Sequence, residues 1–184
     1  MKICRICEQF PPAKGGLSPG MLDLSLAQHE RGHDVTVITR SSNGDSKFDS
    51  KMPFKVIRIQ SMRIFDFSWK AYNTIKGLSS KPDVVHAHGP VAFFYLMRRN
   101  RFDPPLVFTM HVVRKYEYSL FQDLPEMVRN FEKRMGWRVI NKPRFYGKLS
   151  FLVWKEYFLE KYICKRADHL VVVAKYFIEQ VHRY

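Results

Sequence analysis

The sequence predicts an α/β fold, with a parallel sheet covered by helices on both faces. Two observations carry this. Strand-length apolar runs alternate with segments of helical periodicity along the chain, and the runs are continuously apolar instead of alternating with polar residues. Strands of that kind are buried on both sides, which only crossover helices above and below the sheet achieve.

The elements follow in order. Residues 2–7, KICRIC, read as a first strand, and the loop EQFPPAKGG comes directly after it. From Ser18 the pattern turns helical, with Leu17, Met21 and Leu24, and then Leu22 and Leu26, spaced three or four apart. Gly32 stops this helix in the manner of a C-cap, and His29 and Arg31 suit its negative end. DVTVIT (34–39) is a β-branched second strand, SSNGDSKFDSK (41–51) is loop by composition, and FKVIRI (54–59) is a third strand. Residues 67–79 are a helix candidate. DVVHAH (83–88) is a short buried strand introduced by Pro82, and Pro90 opens a helix running through Val91 to Met97. LVFTMH (106–111) is the next strand. Residues 112–148 are charged and aromatic, with a helix near 123–135. A long helix then spans Leu149–Arg166, HLVVVA (169–174) is a strand, and a helix begins at Lys175. No internal repeat or low-complexity segment interrupts this order.

Composition narrows the function. With 184 residues the chain has room for one domain with a sizeable core, and 46% apolar content is incompatible with disorder as the default. The three cysteines, Cys4, Cys7 and Cys164, are too few for a disulfide framework and suggest a reducing compartment, the cytoplasm. Cys4 and Cys7 form a C-x-x-C. Within a strand, however, i and i+3 point to opposite faces, so small buried hydrophobes are the expected role and not zinc ligands. The first twenty residues have no apolar signal-peptide core, and no run reaches transmembrane length. The strongest compositional fact is 31 basic against 17 acidic residues, a net +14. That surplus implies an anionic partner: nucleic acid, anionic membrane, or phosphorylated ligand.

In a parallel sheet the ligand lies beyond the carboxyl ends of the strands. Three features fall there: Gly15-Gly16 after the first strand, His86-x-His88-Gly89 after the fourth, and Thr109-x-His111 after the fifth. The glycine loop fails the G-x-G-x-x-G spacing of a dinucleotide site, and no G-K-[ST] follows to make a P-loop. What remains is a wide loop whose adjacent glycines expose backbone N–H groups before a helix N-terminus, suited to phosphate or sugar hydroxyls. On this loop alone, a plain flexible turn fits equally well. His86 and His88, two apart in a strand, share one face. No third ligand has motif spacing to them, and taken singly each of the three histidines also fits a packed, hydrogen-bonded role.

These residues match a family. P-P-x-x-G-G, followed by LDLSLA (22–27) and R-G-H-D-V-T-V-I-T, resembles the opening of family 4 glycosyltransferases; PDVVHAH, VFTMH and RADHLVVVA resemble their later signatures in the same order. The resemblance spans Pro11 to Ala174. It implies that residues 1–184 are a single Rossmann-like domain, the N-terminal, acceptor-side half of a GT-B fold. It also implies retaining transfer of a sugar from a nucleotide-sugar donor to a sugar or lipid-linked acceptor, with no metal or other cofactor. Carried over, Gly15 and Gly16 approach the donor phosphates or the acceptor. His111 is the catalytic candidate, near the transferred sugar, with Thr109 in the same motif, and His86 and His88 support the acceptor side. Two departures stand out. Ala174 and Lys175 occupy positions where the family commonly shows Ser. The donor-site E-x₇-E motif is also not among these residues, Glu117 to Glu126 being one too long. The resemblance therefore calls for a separate C-terminal donor domain, without which the 184 residues bind weakly and do not turn over. The alternative classes are a non-catalytic subunit that pairs with a donor-domain chain, and a basic nucleic-acid-binding protein, although no RRM, KH or zinc-finger pattern is present.

One segment adds a further expectation. Between Trp137 and Arg166, eight basic residues interleave with eight aromatics, broken only by Glu156 and Glu160. Leu152, Leu159 and Ile163 read as core. Trp137, Arg138, Lys142, Arg144, Lys148, Trp154 and Lys155 read either as a solvated face or as a patch for an anionic membrane, which would place the protein peripherally on the inner face of the membrane.

Overall fold

A computed structural model describes residues 1–111, 142–175 and 178, with backbone alone for 142–150, 152 and 153. Six strands, β1 (Lys2–Cys7), β2 (Asp34–Arg40), β3 (Lys55–Ile59), β4 (Val84–His88), β5 (Leu106–Met110) and β6 (His169–Val172), form one sheet in the order β3-β2-β1-β4-β5-β6. Every neighbouring pair is parallel, so each connection must cross a face. Helices α1 (Ser18–Glu30) and α2 (Asp45–Asp49) pack on one side. On the other lie α3 (Ile64–Lys76), a 3₁₀ turn (Pro90–Ala92), α4 (Phe93–Arg98) and α5 (Lys142–Cys164). This is the Rossmann-like α/β sheet the sequence predicts.

Strand parity divides the core in two. Cys4, Ile6, Ile38, Val85, Ala87, Leu106 and Phe108 face α3, α4 and α5, together with Phe67, Ala71, Tyr95 and Ile163. Cys7, Val35 and Val37 face α1, together with Phe10, Met21 and Phe54. The C-x-x-C pair is therefore split across the sheet, and both thiols are free and buried. Gly32, at φ +81°, ends α1 in a left-handed residue. Its N–H donates to the carbonyl of His29 at 2.8 Å, and that of His33 to the carbonyl of Gln28 at 3.1 Å, the two bonds of a Schellman motif.

Several boundaries differ from the sequence reading. Within 41–51, read as loop, Asp45–Asp49 is a short helix. Asp45 accepts from the backbone N–H and the hydroxyl of Ser42 at 2.5 and 2.6 Å, which closes the turn that starts it. α3 begins at Ile64 and ends before Gly77, whose N–H returns to the carbonyls of Asn73 and Thr74, so the reading to 79 overran its stop. α5 begins at Lys142 instead of Leu149: Pro143 is tolerated in a first turn, and Gly147 is carried inside the helix. The segment at Pro90 starts as 3₁₀ before α4, β5 ends at Met110, and β6 ends at Val172. The helix expected near 123–135 lies outside the described residues, as does most of the helix expected after Lys175, of which Lys175 and Ile178 are helical.

The loop after β1 is held from beneath by Arg58 of β3. Its guanidinium donates to both Asp49 carboxylate oxygens at 2.7 and 3.0 Å, to Pro11 O at 2.5 Å and to Arg40 O at 3.3 Å, and it pairs with Asp45 at 3.3 Å. The side chain is only 10% exposed, so these bonds form in a poorly solvated place where removing one partner strands the others. Arg58→Ala is expected to cost about 2–4 kcal/mol in urea unfolding. It should also speed amide hydrogen exchange across residues 10–16 more than in β4 or β5; uniform protection there would show that the loop holds itself.

Candidate functional site

The strand order reverses between β1 and β4, and in open α/β sheets the crevice lies beyond the carboxyl ends at that point. The chain leaves β1 into the Gly15-Gly16 loop and leaves β4 through Gly89, whose φ of +79° lets the backbone turn immediately after His88. His111 directly follows β5. All three sequence-predicted features therefore lie at one edge of the sheet.

The two glycines differ. A Cβ on Gly15 would sit 1.8 Å from Gln9 Oε1, the far end of an exposed, flexible side chain. A Cβ on Gly16 would meet nothing within 4 Å. Neither has a left-handed backbone, so the loop conformation does not itself require glycine at Gly16. Ser18 N–H donates to Gly15 O at 3.2 Å and the Ser18 hydroxyl to Ala13 O at 2.8 Å, which folds the loop onto the start of α1.

The histidines form a string. Parallel register sets Arg5 beside His86, Cys7 beside His88 and His88 beside Thr109. His86 Nε2 lies 2.7 Å from Thr109 Oγ1, and His88 Nδ1 lies 3.0 Å from His111 Nε2. The His86 and His88 rings are 4.2 Å apart, and those of His88 and His111 stack at 5.3 Å. Burial first, and then the positive Arg5, push His86 down to about 4. The same two influences, with His86 and His111 adding to them, hold His88 far below the ordinary imidazole value. Burial also lowers His111. The rings are therefore neutral near pH 7. That neutrality is what allows one ring nitrogen to accept from another, since imidazolium has donors only. His88 Nε2 is buried without a partner among the described residues. No three His, Cys, Asp or Glu side chains among the described residues are grouped as a metal site requires.

Two parts of this edge were not singled out in the sequence. Arg5, in the apolar run KICRIC, is fully buried and donates to Ser25 Oγ, to Met21 O at 3.4 Å and to Gln28 Oε1 at 2.5 Å. Its signal was Ser25 and Gln28, polar residues on the inner face of α1. The second is a cavity of about 550 Å³ at the same edge, lined by Glu8, Arg40, Arg63, Phe65, Phe151 and Lys155 among others. Glu8 and Arg40 pair across it at 2.9 Å.

The basic aromatic segment is only partly placed. Trp137 and Arg138 lie outside the described residues, and Lys142, Arg144 and Lys148 belong to the first turns of α5, for which the backbone alone is described. Trp154 is exposed, and the Lys155 ammonium sits 5.6 Å above the Phe65 ring. Leu159 and Ile163 are core, as read. No helix among the described residues is long and apolar enough to cross a membrane.

Because their folded-state values lie below the unfolded value of about 6.5, these histidines favour the native state most above that pH. Stability should fall as pH drops from about 6.5 towards 4, by up to ~1.4 kcal/mol per pH unit for each histidine. Imidazole ¹⁵N spectra should show His86 titrating near pH 4, and Arg5→Met should move the His86 and His88 midpoints upward. Ordinary titration near 6.5 in the native protein would refute the buried string.

No curated protein sequence matches the chain. The profile of Glycosyltransferase Family 4 matches residues 14–184, from the glycine loop through β6 and beyond. That span includes both glycines, His86, His88, His111 and Thr109, and β2 to β6 of the parallel sheet. The chain belongs to glycosyltransferase family 4.

Proposed function

We propose that this chain forms the acceptor-side wall of a retaining glycosyltransferase, working with a nucleotide sugar held by a separate donor-binding domain. The observation that carries the reading is the hydrogen-bonded, neutral His88–His111 pair at the same sheet edge as the Gly15-Gly16 loop, in a family 4 domain. In transfer, the bond from the anomeric carbon to the donor diphosphate breaks as a bond to the acceptor oxygen forms, and the acceptor proton passes to the departing diphosphate oxygen. Negative charge develops on the leaving phosphate. Backbone N–H groups ahead of the α1 N-terminus are suited to it, and Gly16, having no Cβ, leaves room for close approach.

His111 takes the role of contacting the transferred sugar. As a neutral ring it offers a hydrogen bond and not a charge, and its bond to His88 sets which nitrogen carries the proton. The buried Nε2 of His88, without a partner among the described residues, leaves a second hydrogen-bonding capacity unused at the same edge. Either a sugar or a lipid-linked acceptor is compatible with the edge cavity and its cations.

The glycines and the histidine separate in a test. Gly16→Val should leave thermal stability within about 0.5 kcal/mol, because a Cβ there meets nothing within 4 Å and the backbone is not left-handed. It should weaken binding of a nucleoside diphosphate, followed by calorimetry, at least tenfold. His111→Ala, assayed in the presence of the donor-binding domain, should lower kcat about a hundredfold with little change in donor KM. The 184 residues alone should bind weakly and turn over negligibly, since one wall cannot both neutralise the donor phosphates and hold the sugar for attack. Rapid transfer by these residues alone, or a fully active His111→Ala enzyme, would overturn the reading.

A further inference from the structure

The helix layer over β4–β6 has an unusual outer surface. Phe65 and Trp69 of α3, Met97 of α4, and Phe151, Trp154 and Phe158 of α5 are 36 to 61% exposed. On α5 the aromatic positions 151, 154 and 158 are spaced three and four apart, so they share one face, next to the core-facing Leu159 and Ile163. Ring contacts join the α3 and α4 part of this surface to Tyr162 of α5. Trp69 meets Phe94 at 5.4 Å, Phe94 meets Phe65 at 6.3 Å, Phe65 meets Phe93 at 5.8 Å, and Phe93 meets Tyr162 at 5.1 Å. Trp154 and Phe158 lie 4.7 Å apart on α5, and Lys155 from the same helix reaches Phe65.

Cations are set among these rings. Arg98 lies 4.8 Å over Trp69, Lys155 5.6 Å over Phe65, and Arg166 4.0 Å over Tyr162. None of the three, nor Arg63, makes an ion pair among the described residues. The surface therefore combines large rings with uncompensated positive charge, in a chain of net +14.

We propose that the outer surface of α3, α4 and α5 docks on an anionic lipid bilayer, with Phe65, Trp69, Trp154 and Phe158 at headgroup depth and Arg63, Arg98, Lys155 and Arg166 on lipid phosphates. Charge complementarity favours this occupant. A protein interface core is depleted of Lys although it favours Arg, and here Lys155 as well as Arg98 and Arg166 lies over the rings without an ion pair among the described residues. Single-stranded nucleic acid stacks on open ring faces, but cations already lie over the faces of Trp69, Phe65 and Tyr162. Rings with cations on their flanks match the interfacial zone of a membrane, where Trp and Phe enter the boundary and Lys and Arg meet anionic headgroups. Phe65, Phe151, Arg63 and Lys155 also line the edge cavity, so a docked protein opens that cavity at the headgroup layer. This last consequence rests on the sugar-transfer reading and points to an acceptor resident in the bilayer. The docking itself does not rest on it, and vesicle binding needs no turnover.

The test is sedimentation of the 184-residue chain with phosphatidylcholine vesicles, with and without about 30% phosphatidylglycerol, at low and high salt. Binding is expected only with the anionic lipid and should fall steeply with salt. Lys155→Glu and Arg98→Glu should each weaken it about tenfold or more, and Trp154→Ser with Phe158→Ser at least tenfold. Arg98, Trp154 and Phe158 are exposed and Lys155 is half-buried, and circular dichroism of each variant checks the fold; the charge reversals provide a readout if the double variant unfolds. Quenching of tryptophan fluorescence by brominated acyl chains should accompany binding. Equal binding to neutral vesicles, wild-type binding by the charge reversals, or tighter binding of single-stranded RNA at the same salt would each overturn the proposal. Transfer activity lost with vesicle binding intact would count against the sugar-transfer reading alone.

Discussion

A buried guanidinium without a carboxylate governs this molecule. Arg5 sits at the centre of the sheet, on β1, and its hydrogen bonds go to a hydroxyl, an amide and a backbone carbonyl of α1. Burial pushes it down only to about 10, so it stays cationic at neutral pH. That retained charge has two effects. It obliges the inner face of α1 to carry Ser25 and Gln28 where an ordinary packed helix would carry aliphatics, because an unpartnered buried cation is costly. It also adds to burial in keeping His86 and His88 unprotonated, and the His88–His111 hydrogen bond requires at least one neutral ring. The polar edge of the sheet is therefore arranged from its interior.

The loop edge uses a second arginine differently. Arg58 has two carboxylates within reach and spends its remaining donors on backbone carbonyls of Pro11 and Arg40. It acts as a bracket between β3, α2 and the loop after β1. Gly16 is thereby left without a structural task, since the loop is positioned by its proline end and by Ser18, and a Cβ would crowd Gln9 only at Gly15. Holding a loop at one end while leaving the other free of side chains is a physical basis for close ligand approach.

Most of the fold was legible because its signals are local. The continuously apolar runs gave the parallel sheet, and Gly32 gave the end of α1. Strand parity alone put His86 and His88 on one face and split Cys4 from Cys7. What could not be read depends on register or on distant segments. The pairing of His88 with His111 needs the alignment of β4 with β5, which no spacing within either strand encodes. Arg5 was masked by its apolar neighbours. α2 was hidden in a polar run whose helicity depends on a Ser42–Asp45 turn and on Arg58. The start of α5 was displaced by Pro143 and Gly147, residues that punctuate a chain in general but are absorbed here. The aromatic surface was half visible: α5 could be read as basic and aromatic, but Phe65 and Trp69 join it only through tertiary packing.

The split of Cys4 from Cys7 has a practical consequence. Burial pushes both thiols up to about 12, so neither is nucleophilic while its own face of the sheet stays covered. Cys4 lies under the α3–α5 layer and Cys7 under α1. Once the half-buried Cys164 is replaced, a thiol reagent reports separately on the opening of each layer. The chain carries a built-in pair of probes that can show whether the two halves of its core come apart together or one before the other.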